Sequence, residues 1–142
     1  MKKAVIVEIV SLLFAALFLY TGIMKLREYD VFRSVIETSP ILRPVSVPIA
    51  WGLPIVEVVL SVLLIIPAVR IKALYASFVL MILFTVYIIA ILLFSKHLPC
   101  SCGGVLESMT WTQHLIFNVS LIVLAGYCLV LNKKISKNTV AL

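Results

Sequence analysis

The sequence predicts an all-α integral membrane protein: a bundle of four spanning helices with a short amphipathic interfacial helix between the first and second. Two observations carry this. The 142 residues are 63% hydrophobic and only 13% charged, with a mean hydropathy of +1.22, which is more apolar surface than a soluble domain of this size can bury. Four stretches of roughly 21 to 24 residues are almost free of charge, and each can cross a hydrocarbon core of about 30 Å at 1.5 Å per residue. Lipid offers the backbone no partners, so these stretches must be helical, and no ten-residue alternation suggests a barrel. The spans fill most of the chain, read as one membrane domain, and exclude a large soluble catalytic domain, a Gly-rich nucleotide fold and a nucleic-acid reader. The formal charge of +6 then bears on orientation in the membrane.

The first span is read at residues 4–24. It is too long for the apolar region of a typical signal peptide, and no small-x-small cleavage site precedes the charged segment, so it is expected to be a retained helix. The others are read at 46–69, 73–94 and 112–131. With four spans the termini share a side with the short loop between the second and third. That side carries Lys2, Lys3, Arg70, Lys72, Lys133, Lys134 and Lys137, against Lys25, Arg27, Arg33, Arg43 and Lys96 on the other, where Glu28, Asp30, Glu37 and Glu107 offset them. The positive-inside rule therefore places both termini in the cytoplasm and the loops at 25–45 and 95–111 outside. A bacterial inner membrane is the expected location.

In the first outer loop Leu26, Tyr29, Phe32, Val35 and Ile36 recur at helical spacing with charged residues between them. This predicts an amphipathic helix in the interface that ends before Pro40, with Pro44 and Pro48 favouring extended chain after it. It is either a connector resting on the bundle or a docking surface for an external partner.

The most informative stretch is Cys100-Ser101-Cys102, preceded by Pro99 and followed by Gly103-Gly104. His97 and His114 could complete a zinc set, but the spacing resembles no structural site, and no metal is predicted. One intervening residue would close a small, strained disulfide ring, and strain makes a disulfide more oxidising. Lys96 and His97 nearby favour thiolate over thiol. Two readings stand: a static bridge or idle thiols, or a pair that exchanges with other thiols. Cys128, deep in the fourth span, reads as an ordinary small apolar residue.

Glu57 falls inside the second apolar stretch, where an ionised carboxylate costs about 2.5–3.5 kcal/mol at the bilayer centre. It must face protein, be protonated, or lie less deep than it appears. The last case would follow if Pro48, Gly52 and Pro54 left residues 46–53 irregular and the helix began near Pro54. Lys25, at the end of the first span, is within reach and is the expected partner; a proton-relay role is the alternative. Glu8 is expected to snorkel, without a function. His114 and Asn118, four apart, share a face just beyond the cysteine loop. With Trp51 and Trp111 they form either an aromatic belt with interhelical hydrogen bonds, or the border of a pocket for a flat, polar-headed lipid such as a quinone.

Three segments together resemble a known family. Gly22-Ile23-Met24-Lys25-Leu26, Pro54-Ile55-Val56-Glu57 and Cys100-Ser101-Cys102-Gly103-Gly104 are similar, in order and position, to the MauE/DoxX-like redox-associated membrane proteins. Gly103 stands where that family commonly has an aromatic residue; thiol chemistry stays possible, but aromatic packing over the cysteines is not expected from that position. The resemblance implies a four-helix bundle related in architecture to DsbB and vitamin K epoxide reductase, and a role in thiol–disulfide traffic, as in methylamine dehydrogenase maturation. It implies no direction of electron flow. A DsbB-type oxidase needs a second cysteine pair, so an extracytoplasmic thioredoxin-like or client protein is expected to supply it.

The leading expectation is a membrane thiol–disulfide oxidoreductase or redox-maturation factor with Cys100 and Cys102 as the exchanging pair. The runner-up is a non-enzymatic anchor or assembly subunit of a larger complex, docking through the amphipathic segment. A small transporter using Glu57 is disfavoured because the chain has no internal repeat and few polar residues along its spans.

Overall fold

The computed structural model describes residues 2–94 and 110–140. Helix α1 (Lys2–Arg27) ends on Lys25 and Arg27, cations that suit the negative end of the helix dipole. Backbone bonds from Glu28 to Met24 (2.9 Å) and from Phe32 to Glu28 (3.0 Å) carry the chain with little interruption into α2 (Tyr29–Thr38). This is the expected amphipathic helix: Ile36 is buried and Phe32 and Val35 half-buried, while Asp30, Ser34 and Thr38 are exposed. Ser39 is extended, as the residue before Pro40 must be, and α2 stops there.

The extended chain expected around Pro44 and Pro48 is not found. A single 3-10 turn (Arg43–Val45) leads directly into α3 (Ser46–Ile65). Both prolines occupy opening positions of helical turns, where a missing N–H removes no intrahelical bond. Nor are residues 46–53 irregular. The helix runs through Pro54, which removes only the donor to the Ala50 carbonyl, a loss a membrane helix tolerates when packed against its neighbours. Glu57 therefore sits mid-helix.

Ile66 is extended before Pro67, so α3 ends four residues earlier than the 69 expected. Helix α4 (Arg70–Phe94) follows. Arg70 donates from Nε to the Leu64 carbonyl (3.1 Å) and from Nη2 to that of Ile65 (3.3 Å), satisfying the last carbonyls of α3. Its Nη1 lies 3.3 Å from Glu8, so the carboxylate expected merely to snorkel is paired instead. Helix α5 (Trp111–Val140) opens on a reciprocal cap, with Gln113 N–H donating to Thr110 Oγ1 and Thr110 N–H to Gln113 Oε1. It continues past residue 131 through Lys133 and Lys134.

Helices α1, α3, α4 and α5 are each long and apolar enough to span a membrane. They pack as a ring in that order, with α5 closing against α1. The partners Ala15–Ser61 and Lys25–Glu57 run in opposite senses, so α1 and α3 are antiparallel. Between them Ser61 Oγ donates to the Ala15 carbonyl at 2.7 Å. Ser11, Ser77 and Thr85 bond carbonyls one turn back in their own helices, so these buried hydroxyls are satisfied. Such small residues let the helices approach, and association in lipid depends on that packing. The core is completed by Phe14 and Phe18, centroids 6.0 Å apart, with Leu64, Leu74 and Ala125. Cys128 is a free, fully buried thiol within it, as its sequence setting implied. Large apolar residues elsewhere, among them Leu83, Val86 and Val123, point outward. Four such helices make this an integral membrane bundle.

Candidate functional site

At the end of the bundle covered by α2, the glycine–lysine and proline–glutamate elements meet. Gly22 and Lys25 are one turn apart on α1; Pro54 and Glu57 are one turn apart on α3. A Cβ on Gly22 would lie 3.0 Å from Val58 Cγ2, 3.1 Å from the Pro54 carbonyl oxygen and 3.3 Å from Glu57 Cβ. Only glycine lets α1 come this close. That approach lets Lys25 Nζ reach Glu57 Oε1 at 2.5 Å, with the Glu57 side chain 1% and the Lys25 side chain 10% exposed. Of the three readings open for Glu57, burial against protein is the one observed.

Two aromatic faces complete the setting of the ammonium. Its Nζ lies 5.6 Å from the ring centroid of Phe32, on α2, and 5.2 Å from that of Phe84, on α4, a cation–π arrangement that strengthens as water is removed. One lysine thus ties four helices together. Helix α2 is further held by Ser46, whose Oγ donates to Glu37 (3.3 Å), while Glu37 also accepts from Arg33 (2.8 Å).

The pair forms the polar floor of a cavity of about 640 Å³ beneath α2. Its walls are aliphatic and aromatic, and its polar lining includes Thr21, Lys25, Glu57, His114 and Asn118. Asn118 is only 4% exposed. Two buried atoms at this site, Glu57 Oε2 and Asn118 Nδ2, have no hydrogen-bond partner among the described residues. A bundle interior of this size, apolar with a few convergent polar groups, has the character of a small-molecule site.

The structure thus brings together Lys25, Glu57, His114 and Asn118. It does not bring Trp51 to them. That ring is 52% exposed and packs on Tyr29 of α2, centroids 4.9 Å apart, outside the cavity lining. Cys100, Cys102, Lys96 and His97 lie outside the described residues, as does the side chain of Trp111. Phe84 was missed by sequence reading because it sits in an unbroken apolar run, where one ring among many carries no signal. Phe32 was read only as part of an apolar face.

The tightness at Gly22 has a direct consequence. Gly22→Val is expected to cost about 1–3 kcal/mol by overpacking, seen as earlier thermal unfolding in detergent. Gly52→Ala, where an added Cβ meets nothing within 4 Å, should stay at or slightly above the parent's stability. Equal stability of the two variants would mean that the α1–α3 approach is not close.

A family model described as methylamine utilisation protein MauE matches residues 3–131. No curated protein and no solved structure matches the chain. The match spans α1 through most of α5, including the glycine–lysine and proline–glutamate elements that the fold joins into one site: the chain belongs to the MauE family of methylamine utilisation membrane proteins.

Proposed function

We propose that this protein is a membrane thiol–disulfide exchange factor that serves a redox-dependent step of methylamine utilisation through Cys100 and Cys102. The observation that carries the reading is the Cys100-Ser101-Cys102 pair, flanked by Pro99 and Gly103 and preceded by Lys96 and His97, in the segment between α4 and α5. A disulfide across one residue is strained and therefore oxidising, and nearby cations favour the thiolate that exchange requires. Its chemistry balances within the two partners. A client dithiol attacks the Cys100–Cys102 disulfide, a mixed disulfide forms, and its resolution leaves the client oxidised and this pair as two thiols. Run in reverse, the same exchange reduces a client disulfide, the direction being set by the partner's potential. The partner is a thioredoxin-like or client protein on the extracytoplasmic side, with both termini in the cytoplasm. Family membership supports the process, and the basic residues clustered at the terminal end support the orientation.

Alkylation state and sidedness test this together. In intact cells a membrane-impermeant maleimide is expected to label Cys100 and Cys102 after reduction and to fail after oxidation. Labelling that requires an opened membrane would reverse the topology. A pair that stays in one state under both oxidising and reducing growth would leave an anchoring or assembly role, for which the exposed face of α2 is the available surface.

A further inference from the structure

We infer that the outer seam between α4 and α5, at the end of the bundle that holds both helix α1's start and helix α5's finish, is a docking track for an anionic phospholipid. The two helices run antiparallel: Asn118 shares the cavity with Phe84 and Ile88, while an added Cβ on Gly126 would meet Phe78 Cε2 at 3.5 Å. Phe78 and Gly126 therefore face each other across the seam. By helical phase Tyr75 and Val79 lie within about 100° of Phe78 round α4, and Val123, Tyr127 and Val130 within about 100° of Gly126 round α5. All five turn away from the core and are well exposed, so they flank a groove whose floor is the Phe78 ring over the glycine. From Val123 to Lys133 the track runs about 15 Å at 1.5 Å per residue, half of a hydrocarbon core of about 30 Å, which is the depth of one leaflet.

Charge selects the occupant. Lys72 lies one turn beyond Tyr75, and Lys134 one turn beyond Val130 with Lys133 beside it; all three are exposed. Counted from the Phe78–Gly126 contact, Lys72 and Lys133 come to nearly the same level at the mouth of the groove. Among the described acidic residues only Glu8 lies at this end, and Arg70 holds it. The three lysines have no ion-pair partner among the described residues. Cations above an apolar track one leaflet deep fit a lipid with a net negative head: its phosphate meets the ammonium groups, its ester region lies beside the tyrosines, and an acyl chain follows the valines. A choline head would bring a further cation to the lysines. A second copy of the chain seated on the same face would set lysines against lysines.

The inference uses neither the thiol chemistry nor the direction in which the bundle faces, and it stands whatever becomes of either. The full chain, delipidated in mild detergent, is titrated with dioleoyl phosphatidylglycerol and with dioleoyl phosphatidylcholine, and retained lipid is counted by native mass spectrometry alongside thermal shift. Each lysine near an anionic headgroup is worth about fivefold, so the parent should retain phosphatidylglycerol in preference by about tenfold or more. Lys133→Gln/Lys134→Gln should cut that preference to about twofold or less, whereas Lys2→Gln/Lys3→Gln, which removes the same charge at the same end but from α1, should keep most of it. Inorganic phosphate should neither stabilise the protein nor displace the lipid, because it has no chain to lay along the groove. The proposal is overturned if phosphatidylcholine is retained as well as phosphatidylglycerol, or if the two double variants lose the preference equally, which would make the attraction a diffuse effect of net charge. Displacement by inorganic phosphate would overturn it in favour of a free-anion site. Oxidative cross-linking of two Val130→Cys chains, beyond any seen in the parent, would overturn it in favour of a second copy on the seam.

Discussion

Cys102→Ser is expected to accumulate a covalent adduct with an extracytoplasmic protein, visible on a non-reducing gel and lost on adding reductant. Exchange passes through a mixed disulfide, and the thiol whose loss lets that species persist is the one that resolves it. Cys100 is nearer Lys96 and His97 in sequence; nearby cations favour thiolate, so under the proposed function Cys100 is expected to be the attacking residue. Either serine variant should abolish function, because one thiol cannot complete a two-electron exchange. Their trapping should differ, with Cys100→Ser giving little adduct. Full function in both variants, with no adduct in either, would remove the exchange reading and leave the scaffold reading in its place.

Why the sequence disclosed the bundle is clear from its residues. Membrane thickness and backbone satisfaction leave few choices for long apolar runs, so four spans and the surface helix at Tyr29–Thr38 followed from length and period alone. Helix ends were less legible because proline has two meanings. Pro40 and Pro67 stop helices, whereas Pro44 and Pro48 open them and Pro54 lies within one; which applies depends on the turn each one falls in and on what packs beside it. Thr110 and Gln113 fit the capping-box pattern in the sequence, and the reciprocal bonds are there. The Lys25–Glu57 pair was accessible because charges are so rare in these spans that each must seek the other. Phe84, Gly22's close approach and the unpaired Asn118 amide were not accessible. Each depends on the rotation of one helix about its axis, which a chain that is apolar on nearly every face does not encode visibly.

Breaking that ion pair should give the largest change in stability. Lys25→Met leaves the Glu57 carboxylate buried without its counter-charge, and Glu57→Met strands the ammonium. Removing one partner of a buried pair typically costs about 3–5 kcal/mol, and hydrocarbon beyond the protein offers no escape to water. The double variant Lys25→Met/Glu57→Met strands nothing, and apolar residues of similar volume are often neutral or stabilising in place of a buried pair. It should therefore be more stable than either single variant in an unfolding titration with mixed detergents, giving strong non-additivity between the sites. Glu8 provides the control, since its pairing with Arg70 is at 3.3 Å with the carboxylate side chain 51% exposed, a geometry worth about 0–1 kcal/mol. Glu57→Gln, which keeps the shape and removes the charge, should accordingly reduce stability by several times the loss in Glu8→Gln. Equal tolerance at the two positions, or additive losses in the double variant, would mean that Lys25 and Glu57 are not a buried pair and that α1 and α3 are held without it, by packing around Gly22 and the Ser61–Ala15 bond.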